Sequence, residues 1–260
     1  MHLFTIYLDQ PLVLKRAVDF AQPEGEVRDT AIFYVHGGGW NSGARDIYHY
    51  HLEHFSSKGF WCASVGYRLA PQAKFADQMT DVMEGYDRFV RYLEEHAPGI
   101  RRIVVTGSSA GAHLASLLAL MHPEQLGRKL NLAGEWRKPD ACLSVNGPGT
   151  LEKWPDMNES IKNSIEQMIG AAYEEETDAF AKASPIRYVH EGCPEFLFFV
   201  VEHEPYFPHE YVREMSDRIV ACGGKSEVVY FEGAKHGFFY GLRSDIQQRA
   251  LKRMEQFLGL

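Results

Sequence analysis

The pentapeptide Gly107-Ser108-Ser109-Ala110-Gly111 constrains this chain more than any other stretch. It follows the apolar run Ile103-Val104-Val105 and opens a small-residue helical pattern, Ala110-Gly111-Ala112-His113-Leu114-Ala115-Ser116-Leu117-Leu118-Ala119-Leu120. That order is strand, sharp turn, helix. A turn so tight admits only small residues two places before and after its apex, here Gly107 and Gly111. The apex residue, Ser109, then presents its hydroxyl at a helix N-terminus, where the dipole and a free backbone N–H favour developing negative charge. An ordinary Gly-rich strand–helix turn is the bland reading of the same residues. The apolar strand before it and the helix after it favour a serine nucleophile.

A second glycine cluster follows a second apolar strand. Ala31-Ile32-Phe33-Tyr34-Val35 runs into His36-Gly37-Gly38-Gly39-Trp40. A serine that attacks a carbonyl creates an oxyanion, which needs two N–H donors aimed at it. The amide of Ala110 is one candidate. Gly38 and Gly39 are candidates for the other, because a backbone without Cβ can approach a ligand closely. A phosphate-cradling loop is the competing interpretation, but it needs G-x-G-x-x-G or a following Lys-Ser/Thr, and neither is present. His36 reads as a brace for the loop rather than as a base.

Strands alternate with helices along the rest of the chain. Strands are predicted near Phe4–Leu8, Leu12–Phe20, Thr30–Val35, Trp61–Val65, Arg102–Thr106, Ala141–Val145, Phe196–Val201 and Glu227–Phe231. The inner ones are nearly continuous apolar runs, as parallel strands covered on both faces should be. The first two have no helix between them and are expected to form an antiparallel hairpin at the sheet edge. Ala76–Glu95 carries apolar residues at spacings of three and four and is stopped by Pro98-Gly99. The expectation is one α/β domain over residues 1–260, with a mostly parallel sheet of about eight strands and helices on both faces.

Composition narrows the partners. With 35 acidic and 27 basic residues the net charge is −8, and the basic residues are dispersed, which argues against nucleic acid. Cys62, Cys142, Cys193 and Cys222 have neither metal spacing nor a disulfide framework and read as free thiols. No run approaches 18 apolar residues and no basic–apolar leader opens the chain, so no membrane association and a cytoplasmic location are expected. His49, His51 and His54 do not share one helical face, so no metal site is expected there.

The two glycine motifs together resemble those of the α/β-hydrolases, in the esterase and lipase branch with an HGGG-type loop, which also holds feruloyl and acetyl esterases and arylformamidases. Tyr67-Arg68-Leu69-Ala70-Pro71, Ser184-Pro185-Ile186 and Gly233-Ala234-Lys235-His236-Gly237-Phe238 resemble further family segments in the expected order. The resemblance runs from about residue 30 to the C-terminus. It implies a Ser-acid-His triad with Ser109 as nucleophile and His236 as base. His236 follows an apolar strand and precedes the last helix pattern, at the sheet end where α/β proteins place their chemistry.

The acid is expected just past the strand ending at Val201. The sequence there is Glu202-His203-Glu204-Pro205-Tyr206-Phe207-Pro208. Alignment of Pro208 with the family's proline puts Glu204 at the acid position, although Glu replaces the usual Asp and the usual glycine is missing. Glu202 is the rival, and His203 reads as a hydrogen-bonded loop residue. Residues 147–192 lie where the family inserts a short cap, and Trp40, Trp154 and Tyr206 are the candidate pocket residues. The function implied is hydrolysis of small-molecule, short-acyl carboxylic esters through an acyl-enzyme, with no cofactor. An amide hydrolase such as an arylformamidase is the alternative, and a non-catalytic binding scaffold is another.

Overall fold

The computed structural model describes residues 2–260. Among these residues eight strands form one sheet: β1 His2–Tyr7, β2 Ala17–Gln22, β3 Thr30–Val35, β4 Trp61–Val65, β5 Arg102–Ser108, β6 Ala141–Val145, β7 Glu195–His203 and β8 Ser226–Lys235. Their order across the sheet is β1-β2-β4-β3-β5-β6-β7-β8. β1 and β2 form the antiparallel hairpin at one edge, β2 pairs antiparallel with β4, and every other pairing is parallel. This is the expected mostly parallel α/β architecture.

The α-helices are α1 His49–Ser56, α2 Phe75–His96, α3 Ala110–Leu120, α4 Glu159–Ile169, α5 Thr177–Lys182, α6 His209–Ala221 and α7 Asp245–Phe257. Side chains alternate across each strand, so a single strand feeds two cores. Phe33 and Val35 of β3 pack with Met79, Val82, Phe89, Leu114 and Met215 from α2, α3 and α6. Ile32 and Tyr34 pack on the other face with Leu52, Phe55, Leu251 and Met254 from α1 and α7. α3 is buried at every position, and its apolar, small-residue composition suits a helix enclosed on all sides. α2 begins where the Asp77 carboxylate accepts the amide of Lys74 at 2.9 Å.

The second strand departs from expectation. It starts at Ala17 rather than at Leu12, and Leu12, Val13 and Leu14 form an exposed loop. The physical reason lies at Arg16. Its guanidinium pairs with Asp9, Asp81 and Glu84, and Asp81, wholly buried, also receives the backbone amide and side chain of Arg68. That ion network pins the chain just ahead of Ala17 and leaves the apolar residues before it outside the ladder. At the other edge β7 and β8 run further than expected, to His203 and Lys235, with a register shift between Val201 and His203. The four cysteines are free thiols, as expected, with only Cys222 partly exposed. Among the described residues no helix is long and apolar enough to cross a membrane.

Candidate active site

Ser109 stands at the turn between β5 and α3 with φ 59° and ψ −125°, a backbone region that a non-glycine residue rarely occupies. The glycines two residues either side permit it. A Cβ on Gly107 would lie 2.5 Å from the backbone of Gly111, and one on Gly111 would lie 2.1 Å from the Val35 carbonyl oxygen. The Ser109 amide donates to the Val145 carbonyl at 2.8 Å, which ties the turn to β6.

His236 meets this serine from the turn after β8. Its Nε2 lies 2.8 Å from Ser109 Oγ, and its Nδ1 lies 2.7 and 2.9 Å from the two carboxylate oxygens of Glu204. The His236 amide donates to the His203 carbonyl at 3.2 Å, so the ends of β7 and β8 hold the acid and the imidazole at a fixed separation. The side chain of Glu204 is only 4% exposed. It accepts the amides of Tyr206 and Phe207 at 3.0 and 3.3 Å and the Asn146 side-chain amide at 3.3 Å. Four donors thus surround one carboxylate, which satisfies a buried charge. Glu202 is engaged elsewhere: it points outward and accepts the Gly233 amide at 2.7 Å.

The glycine loop after β3 is folded back on itself. The Gly38 carbonyl accepts the Asn41 and Ser42 amides at 3.2 and 2.9 Å and the Ser42 hydroxyl at 2.7 Å. Gly38 and Gly39 have φ of 114° and 57°, and a Cβ on Gly38 would lie 2.4 Å from the Ser42 carbonyl oxygen. Among the described residues the amides of Gly38, Gly39 and Ala110 have no hydrogen-bond acceptor. Ala110 is the first residue of α3, where an unpaired N–H is inherent. His36 braces the loop, as expected. Its Nδ1–H donates to the Gly37 carbonyl at 2.8 Å, its ring stacks 4.2 Å from that of Tyr67, and burial pulls its pKa down to about 4.

Trp40 is placed differently from expectation. Neighbouring the glycines, it was expected to wall a substrate pocket. Its φ of 60° instead turns the indole into the core, where it is 0% exposed. Its Nε1–H donates to His113 Nδ1 at 3.1 Å, and its carbonyl accepts Ala70 and Gln78. Trp40 is an anchor of the loop, not a surface that a substrate can touch. The bond fixes the tautomer of His113, whose Nε2–H donates to the Ala183 carbonyl at 2.7 Å. Trp154 is nearly buried and packs edge-on against Phe207. Tyr206 is half-buried, its ring 4.8 Å from the His236 ring and perpendicular to it.

Two residues close to the site escaped the sequence reading. Asn146, at φ 53° after β6, holds Glu204, and Phe207 sits between Trp40, Trp154 and His236. The Pro208 register could have flagged Phe207 as a neighbour of the acid, whereas nothing local marks Asn146. The histidines of α1 diverge: His49 meets Asp19, His51 the Phe239 carbonyl and His54 Glu255. A cleft of about 630 Å³ opens beside His236 and is lined by Glu202, His203, Glu204, Pro205, Tyr206 and Lys235.

Known proteins are similar to this chain in sequence and in fold. Esterase LipC of Mycobacterium tuberculosis is 27% identical over 212 residues, which cover 80% of this chain and 52% of that protein. Esterase LipQ of the same organism is 26% identical over 242 residues, covering 90% and 56%. The chain therefore spans about half the length of the curated relatives it matches. The butyrate-bound structure of esterase Est2 from Thermogutta terrifontis superposes with a TM-score of 0.73 at 25% identity, covering 93% of this chain and 88% of that one. Residues 18–219 match the BD-FAE family model, a span that takes in the glycine loop, the serine turn and the Glu204 loop. The chain belongs to the BD-FAE family, in the esterase and lipase branch of the α/β-hydrolases.

Proposed function

We propose that this protein is a serine hydrolase that cleaves short-acyl carboxylic esters through an acyl-enzyme. The observation that carries the reading is the unbroken chain Ser109 Oγ–His236 Nε2 and His236 Nδ1–Glu204, at 2.8 and 2.7 Å, beside backbone amides with no acceptor. His236 takes the serine proton as Oγ attacks the ester carbonyl. Glu204 accepts from Nδ1–H, holds the tautomer that leaves Nε2 free to accept, and stabilises the imidazolium that forms. The amides of Ala110 and of Gly38 or Gly39 receive the oxyanion. The imidazolium then gives its proton to the departing alkoxide, and water repeats the sequence on the acyl-enzyme.

The two sides of the ester face different surroundings. The leaving oxygen must lie against His236, and the wide, open cleft beside that ring supplies room for an alcohol. The acyl group, in this reading, lies toward α4 and the buried aromatic residues. Ser164 of α4 lies 3.5 Å from where a Gly39 Cβ would sit, and Trp154 and Phe207 are packed into the core. In this reading residues 147–192 are a short cap that limits the acyl group. A fluorophosphonate probe should label Ser109, and Ser109→Ala should abolish labelling and reduce ester hydrolysis by several orders of magnitude with the fold intact. Near-normal turnover in that variant would exclude the mechanism.

A further inference from the structure

The two sources of oxyanion donors come from separate loops, yet one side chain touches both. Tyr240 lies four residues beyond His236, in the short 3-10 helix Phe238–Tyr240. Its hydroxyl donates to the Ser108 carbonyl at 3.4 Å, immediately before the serine turn. The same oxygen lies against the Gly37 backbone, at the start of the glycine loop. The fit is close enough that a Cβ on Gly37 would lie 2.1 Å from Tyr240 Oη and 2.4 Å from the Ser108 carbonyl oxygen.

We propose that the Tyr240 hydroxyl is a positioning group for the oxyanion hole, setting the Gly38/Gly39 amides and the Ala110 amide at one mutual distance. The inference rests on the ester-hydrolase reading above and adds to it a residue that touches neither substrate nor triad. In the glycine loop, Gly37 is held on both sides: its Cα packs against the Tyr240 hydroxyl and its carbonyl accepts His36 Nδ1–H at 2.8 Å. The peptide nitrogen that follows that carbonyl is the Gly38 donor. In the serine turn, the Ser108–Ser109 peptide is likewise clamped, its carbonyl by Tyr240 and its N–H by the Val145 carbonyl at 2.8 Å. The next peptide nitrogen is the Ala110 donor. Two adjustable loops thus share one rigid reference, the phenol oxygen. Burial raises the phenol's pKa, so it remains a neutral group that keeps its proton to donate to the Ser108 carbonyl. Donor placement matters steeply in such a site, because a misplacement of about 1 Å can cost about 10²-fold in rate.

The test is Tyr240→Phe, which keeps the ring and removes only the oxygen. Tyr34→Phe is the comparison, since Tyr34 Oη lies in the same aromatic layer, buried and without a partner. Each is assayed on a short-acyl oxygen ester and on the matching thionoester, whose larger, weakly accepting sulfur makes poor use of the donors. Wild-type hydrolysis of the oxygen ester and labelling by a fluorophosphonate are established first. Their absence would defeat the ester-hydrolase reading itself, separately from this inference. In an active enzyme, Tyr240→Phe should lower kcat on the oxygen ester at least tenfold with KM little changed. The thionoester should be affected far less, so the oxygen-to-sulfur preference collapses, while the pH profile of kcat keeps its midpoint. Tyr34→Phe should resemble the wild type. Equal losses on both esters, a loss shared by Tyr34→Phe, unchanged kinetics or failure of Tyr240→Phe to fold would each overturn the positioning role.

Discussion

Replacement of Glu204 by Gln isolates the charge of the proposed acid from its shape. Oε1 accepts two backbone amides, Tyr206 at 3.0 Å and Phe207 at 3.3 Å, so the carbonyl oxygen of a glutamine must take that place. The new NH₂ then occupies the Oε2 position, 2.7 Å from His236 Nδ1 and 3.3 Å from Asn146 Nδ2. Asn146 can accommodate it, because its own Oδ1 is buried without a partner and a flip of the amide supplies an acceptor. His236 cannot accommodate it without harm. An N–H donated to Nδ1 moves the imidazole proton to Nε2, which then points at Ser109 Oγ with no lone pair to receive the serine proton. Oε1, 2.9 Å from Nδ1, retains part of the population in the productive tautomer but carries no full charge to stabilise the imidazolium. The expected loss in kcat is about 10³-fold, or about 4 kcal/mol in the barrier. KM should change little, since Glu204 does not reach the substrate. Thermal unfolding should show the fold retained. Glu202→Gln, on the outward-facing carboxylate bound to Gly233, should stay within a few-fold of wild type. Steady-state kinetics on an alkyl butyrate measure both variants. A Glu204→Gln enzyme within tenfold of wild type, or a larger loss at Glu202, would refute the assignment.

Two further outcomes follow from burial and shape. His36, His51 and His113 are held neutral, with burial pulling their pKa values to about 4, 3 and 4, against about 6.5 in the unfolded chain. Their stability contribution is therefore complete above pH 6.5 and is lost as pH falls toward 4, where the unfolded state binds protons that the native state refuses. Between pH 6.5 and pH 5 each imidazole should remove about 2 kcal/mol, read as a falling urea midpoint. His51→Gln should flatten that fall by one share, and an unchanged slope would count against the assignment. Acyl preference forms the other outcome: acetyl to butyryl esters should be hydrolysed faster than octanoyl or longer ones. The proposed short cap offers no groove in which to gain roughly 0.8 kcal/mol per buried CH₂. A kcat/KM that rises from butyrate to decanoate would reverse this conclusion.

Features that depend on neighbours in sequence were legible before the structure. The serine turn is one: its glycines, apolar strand and small-residue helix are contiguous, and their steric requirement is local. The alternation of buried strands and amphipathic helices is another, because each element's period reports its own environment. Glu204 was reached by register alone, through Pro208, and the geometry brings Glu204 rather than Glu202 to His236. Features that depend on long-range contact were hidden. Asn146 and Tyr240 meet their partners across 58 and 132 residues, and no local pattern records such pairings. Trp40 was misjudged because adjacency to a glycine loop does not reveal which way a side chain faces. A single positive φ reversed it. Leu12–Leu14 read as strand because an apolar run carries no sign of the ion network that ends the ladder at Arg16.

The order in which the site's parts occur along the chain has a bearing on synthesis. Ser109 precedes His236 by 127 residues, and the carboxylate lies between them. During translation the serine turn can form on β3, β5 and β6 while β8 is still inside the ribosome. A nascent or truncated polypeptide at that stage holds a hydroxyl with no base to activate it. Under the proposed mechanism, hydrolytic power therefore arrives only with β8, and the growing chain is chemically silent toward esters around it. The same order makes the protein a natural candidate for division into two fragments after α6, with recovery of turnover reporting the docking of β8 on β7.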